Sequence, residues 1–341
     1  MRKVDAFTHI WPAPFYEALK RITGEMSDIT RRSEAQRMMI DLDERFEIMD
    51  AHEGYCQILS LGSPPFELVA SGRDAVELAR IGTDSQADLV ETYPGRFPGF
   101  IASPPMGEDI KTILDACRHA IEERGALGVQ IYTNVAGQAL DHPRFLPFWD
   151  YMAASGLPVW LHPARGAGMT DYAGEPKSQF EIWWTFGWPY ETSAAMARLV
   201  FSKLFDRLPE LKVITHHGGG MVPFFAGRVG PGWDVLGART SDADYGSLLK
   251  ELKKRPIDYF RMFYADTALF GARAAQECAI DFFGIPHTLF ASDAPFDPEG
   301  GRMFIRETIR IVDSLDISQE DRAAIYHGNI GRLVGRDFSA V

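Results

Sequence analysis

Short apolar runs, each closed by polar residues or by glycine and proline, alternate along this chain with amphipathic segments. The runs fall at 4–9, 55–61, 97–102, 128–131, 158–162, 212–217, 262–266 and 288–292. Runs this short, rich in Val, Ile, Phe and Tyr and without helical spacing, read as buried strands. Between them apolar residues recur every three or four positions at 109–124, 144–155, 191–208, 245–254, 271–283 and 303–315. That spacing predicts helices with one buried stripe, and Gly125, Gly156 and Pro209 stop the first three. Eight strands alternating with helices predict an α/β protein, a parallel (β/α)8 TIM barrel. No GxGxxG turn follows the first strand, which weighs against a doubly wound sheet.

Two segments break the alternation. Residues 12–53 form a long, largely helical insertion after strand 1, with helix expected at 38–51 and a place over the barrel mouth. Residues 163–189, after strand 5, are rich in glycine and aromatics, including Trp183, Trp184, Phe186 and Trp188. The length, 341 residues, would allow two domains, but barrels commonly exceed ~250 residues as one unit. One domain spanning 1–341 is therefore expected.

Composition narrows the partners. Thirty-five Lys and Arg stand against 47 Asp and Glu, a net charge of −12, and the longest basic run is Lys253-Lys254-Arg255. Phosphate backbones and anionic membranes need a concentrated basic face, so neither is an expected partner. A few buried arginines could still bind a small acid. No run of 18 apolar residues exists to span a bilayer, and Cys56, Cys117 and Cys278 have no CxxC spacing. The expectation is a cytoplasmic protein with reduced core thiols.

The chemistry lies where the strands end. The carboxyl ends of barrel strands open into one mouth, so residues far apart in sequence meet there. His9 ends the first strand, His162 the fifth, His216-His217 the sixth and Asp266 the seventh, and Asp293 follows the eighth. A lone His in such a place is commonly structural, and Asp266 reads equally as a helix N-cap. Their recurrence across strands is what points to function. Imidazole and carboxylate suit divalent ions such as zinc. Gly218-Gly219-Gly220, with no Lys-Ser/Thr after it, reads as a tight turn beside a catalytic side chain rather than a phosphate loop.

These residues also carry a resemblance. LKVITHHGGG at 211–220, Phe224 through Gly227-Arg228, WPYET at 188–192, LHP at 161–163 and SDAPF at 292–296 resemble the amidohydrolase superfamily, in the branch of aminocarboxymuconate semialdehyde and resorcylate decarboxylases. The likeness runs from Val4 to about Gly335 and includes YPGRF at 93–97 and Gly328-Asn329. It implies one divalent metal ion, zinc first and manganese second, with His9, His162 and Asp293 as ligands. His217 would be the general acid/base, with Asp293 able to share in proton transfer, and Arg228 would meet a substrate carboxylate. Strand side chains alternate, so only one of His216 and His217 should face the mouth, and the resemblance favours His217. The branch also implies a homodimer.

One departure stands out. The branch's first strand ends His-x-His or Glu-x-His, where this chain has Phe7-Thr8-His9, and phenylalanine offers no lone pair. Three functions stay open on these residues. The first is a metal-dependent, non-oxidative decarboxylase of an aromatic or unsaturated carboxylic acid, its ring held by Trp183 and Trp188. The second is a metal-dependent hydrolase of an ester, lactone or amide. The third is a barrel that has lost catalysis and binds a partner.

Overall fold

The computed structural model describes residues 1–24 and 28–339. A strand forms at each predicted run: β1 Lys3–Ile10, β2 Tyr55–Leu61, β3 Gly99–Phe100, β4 Val129–Tyr132, β5 Val159–His162, β6 Val213–Thr215, β7 Tyr264–Asp266 and β8 Thr288–Leu289. Neighbours are parallel, in two hydrogen-bonded sets, β1-β2-β3 and β4-β5-β6-β7-β8. A parallel bridge between Ala102 and Val129 joins β3 to β4. Across the other gap Ala6 N donates to Phe290 O at 2.9 Å and His9 N to Ala294 O at 2.8 Å, seating β8 against β1.

Helices cover the strands outside, among them Arg73–Thr92, Ile110–Arg118, Leu146–Ser155, Gly187–Phe201, Arg273–Phe283 and Arg302–Ser314. The helix expected at 191–208 is interrupted: Lys203 takes left-handed backbone (φ 61°), and a separate turn, Leu204–Arg207, follows. No helix among the described residues is long and apolar enough to cross a membrane.

The period of two along each strand sorts core from site. On β5, Val159 and Leu161 join the cluster under the helices, whereas Trp160 packs with Ala6, Ile58, Ile214, Leu289 and Ala291 inside the ring. Two positions beyond these interior residues come Ser60, His162, His216 and Asp293. An apolar plug thus fills the barrel and a polar layer lies directly above it. β1 reaches the same layer through a bulge between Asp5 and Thr8, which sets both Ala6 and Phe7 into the interior cluster.

Insertion 12–53 is helical in pieces: Ala13–Thr23, Asp28–Glu34, the turn Arg37–Met39 and Leu42–Asp50. The last begins at Asp41, whose carboxylate accepts from Asp43 N and Glu44 N. From this helix the fully buried Arg45 donates to the carbonyls of His9 and Met38 and to Gln57 Oε1. The chain of bonds continues from Gln57 Nε2 to Tyr55 OH, and from Tyr55 OH to Asp5 Oδ2 at 2.6 Å. Asp5 Oδ1 accepts from Ser292 N and Phe7 N. Burial pushes Asp5 up to about 6 and Arg45 down to about 10. The insertion is therefore tied to the seam where β8 meets β1.

Candidate metal centre and active site

His9, His162, His216 and Asp293 converge above the plug, all buried, with one ligand atom of each lying within 4.8 Å of the others. His9 Nε2 and His216 Nε2 each stand 3.1 Å from Asp293 Oδ1, and His217 Nε2 stands 3.4 Å from Oδ2. Behind His216, Asp266 holds Nδ1 through one carboxylate oxygen, while its other oxygen accepts from Gly218 N and Ala268 N at 3.1 Å. Asp266 is thus neither a helix cap nor a member of the ligand group; it fixes a histidine ring.

The electrostatics follow from burial. Desolvation, then the neighbouring His216 and His9, hold His162 well below its usual pKa, so its ring is neutral with a free lone pair. Burial lowers His217 in the same way. For Asp293, burial opposes ionisation, but His216, His217 and His9 keep it well below the usual carboxylate range. Burial also opposes charge on His216, yet Asp266 and Asp293 together raise it. Asp266 and Asp293 thus flank the His216 ring from its two nitrogens. Three imidazoles and a carboxylate fit a divalent ion of the zinc or manganese kind.

The sixth strand corrects the sequence reading. Period two from Ile214 makes His216 the inward residue, and His217 arrives by another route. β6 ends at Thr215, and His217 takes left-handed backbone (φ 55°), which swings its ring back toward Asp293. The two ring centroids lie 4.0 Å apart, and both imidazoles reach Asp293, although only His217 lines the cavity. Gly218 to Gly220 continue the left-handed path, and a Cβ on Gly219 would sit 2.5 Å from Phe283. Asp293 and Phe270 also hold positive φ, a concentration of strain common at functional sites.

A cavity of about 490 Å3 opens onto His162, His217 and Asp293, walled by Trp184, Trp188, Leu269, Phe270, Phe296 and Phe304. Trp188 stacks toward His217, with ring centroids 6.3 Å apart. Trp183 stands outside this wall and packs on Trp188 at 5.7 Å, while Phe186 turns to solvent. Arg228 does not reach the cavity either. It is exposed, on the helix Ala226–Trp233, and lines a surface groove of about 930 Å3 with Tyr190, Phe225 and Trp233. The cation that does line the cavity is Arg32, anchored on Phe296 O at 2.7 Å and lying over Trp184. The sequence expectation placed the insertion over the mouth, but nothing in the residues around Arg32 marks it as the one that faces the cavity.

Residues 4–336 match the family model described as Amidohydrolase. The chain belongs to the amidohydrolase family. This amidohydrolase is 28% identical over 309 residues to 2-amino-3-carboxymuconate-6-semialdehyde decarboxylase of Dictyostelium discoideum, covering 86% of this chain and 82% of the relative. It is 29% identical over 318 residues to gamma-resorcylate decarboxylase of a Rhizobium species, covering 89% and 90%. Among solved structures it resembles dihydroxybenzoic acid decarboxylase of Polaromonas sp. JS666 with bound manganese and 2-nitroresorcinol. The TM-score is 0.77 at 25% identity, covering 98% of this chain and 97% of that one. The amidohydrolase barrel thus recurs along the whole chain, in company with decarboxylases.

Proposed function

We propose that this amidohydrolase is a metal-assisted, non-oxidative decarboxylase of an aromatic or unsaturated carboxylic acid. The observation that carries it is the buried His-Asp group at the floor of an aromatic-walled cavity, in a chain whose relatives are decarboxylases. His9, His162 and Asp293 would hold the ion. Manganese, present in the Polaromonas relative, is our first assignment, with zinc the alternative for the same donors. When bound, such an ion supplies positive charge that anchors a carboxylate and stabilises developing negative charge.

The chain's own residues do the rest. Trp184, Trp188, Phe296 and Phe304 form a slot that admits a planar ring and excludes water. The bond from ring carbon to carboxylate breaks, CO2 leaves, and the electron pair stays on carbon. His217, on the cavity wall beside Asp293 Oδ2, delivers the proton that replaces CO2. We read the chain as one domain, 1–341, in which insertion 12–53 covers the mouth and contributes Arg32. The groove bearing Arg228, with exposed Tyr190 and Val235 on its lining, supports a homodimer contact. The free cysteines fit the cytoplasm.

The test is a panel of hydroxylated aromatic and unsaturated carboxylic acids incubated with manganese-loaded protein and followed by mass spectrometry. Loss of CO2 is expected. Addition of water instead would assign the site to hydrolysis.

A further inference from the structure

Four histidine rings surround Asp293, and their outer nitrogens are not alike. His162 Nδ1 lies 2.8 Å from the carbonyl of Pro163. His9 Nδ1 lies 3.3 Å from the carbonyl of Leu61 and 3.0 Å from Ser60 Oγ, a hydroxyl that already gives its proton to Thr8 O. His216 Nδ1 meets the carboxylate of Asp266. Carbonyl, carboxylate and proton-spent hydroxyl are acceptors, so each of these rings has a partner for a hydrogen on Nδ1, which leaves Nε2, the nitrogen on the Asp293 side, as the atom a metal ion would take in place of a proton. His217 differs: its Nδ1 is buried and has no hydrogen-bond partner.

Histidines that hold a metal almost always donate their other ring N–H to a carboxylate or carbonyl, which fixes tautomer and orientation. Three of the four rings here have that arrangement, and the third belongs to β6. On β1, the inward position two residues before His9 is occupied by Phe7. Its ring sits 4.3 Å from His216, 4.9 Å from His9 and 5.9 Å from His162, filling the floor without offering a lone pair.

We propose that the metal is held by His9, His162, His216 and Asp293, the sixth strand supplying through His216 the imidazole that Phe7 cannot supply from the first. The doubled histidine then divides the labour. His216, held by Asp266 and 1% exposed, is a ligand; His217, 8% exposed and on the cavity wall, is left free for proton transfer. Asp266, pinned by two backbone N–H groups, is the positioning residue of this ligand.

This inference rests on the metal reading above, but its readout is a count of nitrogens and not turnover, so the two can fail separately. Pulsed EPR of the Mn2+-loaded wild-type protein is expected to show three directly coordinated imidazole nitrogens. Two would overturn the ligand set while leaving metal-assisted catalysis standing; no bound Mn2+ would overturn both. In variants, His216→Ala should lose one nitrogen and weaken Mn2+ at least ~100-fold in chelator competition. His217→Ala should keep three nitrogens and an affinity close to wild type. The reverse pattern, with His217→Ala losing the nitrogen, overturns the assignment. The wild-type spectrum decides the matter even if His216→Ala does not fold.

Discussion

His216 and His217 are adjacent in the chain, yet both aim Nε2 at the carboxylate of Asp293, at 3.1 and 3.4 Å. Extended backbone would send them to opposite faces. The positive φ of His217 cancels that alternation, so one strand end presents two imidazoles to one carboxylate.

His217→Ala should lower kcat ~10²–10⁴-fold, the usual contribution of a general acid/base. Metal content by elemental analysis should stay at the wild-type level. Loss of metal together with activity would move His217 into the ligand set.

Trp188→Ala should raise KM for a ring substrate more than it lowers kcat, since stacking holds ground and transition states about equally. Trp183 reaches the cavity only through Trp188, so Trp183→Ala should raise KM less. Steady-state kinetics on both variants separates wall from support; equal effects would mean that Trp183 itself touches substrate.

Much of the barrel was readable because strand runs and their closing residues are local signals. The eight strands fall where the apolar runs lie, and His9, His162 and Asp293 meet as strand-end positions should. What local pattern could not convey was the path after a strand ends. His217 needs a left-handed turn that Gly218 only hints at, and strand alternation does not hold past Thr215. The period of two from Ile214, an interior residue, leads to His216. Likeness marks Arg228 and composition marks Trp183, but neither fixes the direction in which a helix carries a side chain. Arg32 and Arg45 lie in an insertion whose docking depends on long-range contacts.

Phe7→His would add an imidazole beside His216 and His9. Tighter retention of Mn2+ against a chelator is expected, together with lower kcat, because the new ligand competes with substrate for the ion. Unchanged retention with a lower melting temperature would show that the ring at this position packs only.

Asp5 makes stability fall as pH rises. Its folded pKa, about 6, lies above the ordinary aspartate value of 3.8, so the folded state binds the proton more tightly. Below pH ~4 both states are protonated; between ~4 and ~6 the unfolded chain ionises first and the folded state loses ground, by about 3 kcal/mol in all. Asp5→Asn should remove this decline, as read from urea midpoints across that window. A variant with the wild-type slope would place the titration elsewhere.

Arg45→Met should destabilise the fold by roughly 3–5 kcal/mol, because the carbonyls of His9 and Met38 and Gln57 Oε1 lose a buried charged donor together. Chemical denaturation measures this. A loss below ~1 kcal/mol would mean that those acceptors find other partners.

That same guanidinium bears on how such a barrel can change over evolution. Loops at a barrel mouth are usually the exchangeable parts, free to vary while the strands stay fixed. Here the segment that carries Arg32 to the cavity also grips the backbone of His9 through Arg45. Recombination that imported a new 12–53 segment without a buried arginine at that point would change the specificity pocket and unseat a histidine of the centre in one step. Drift in substrate range should therefore proceed by point changes around Arg32, and wholesale replacement of the segment should be rare.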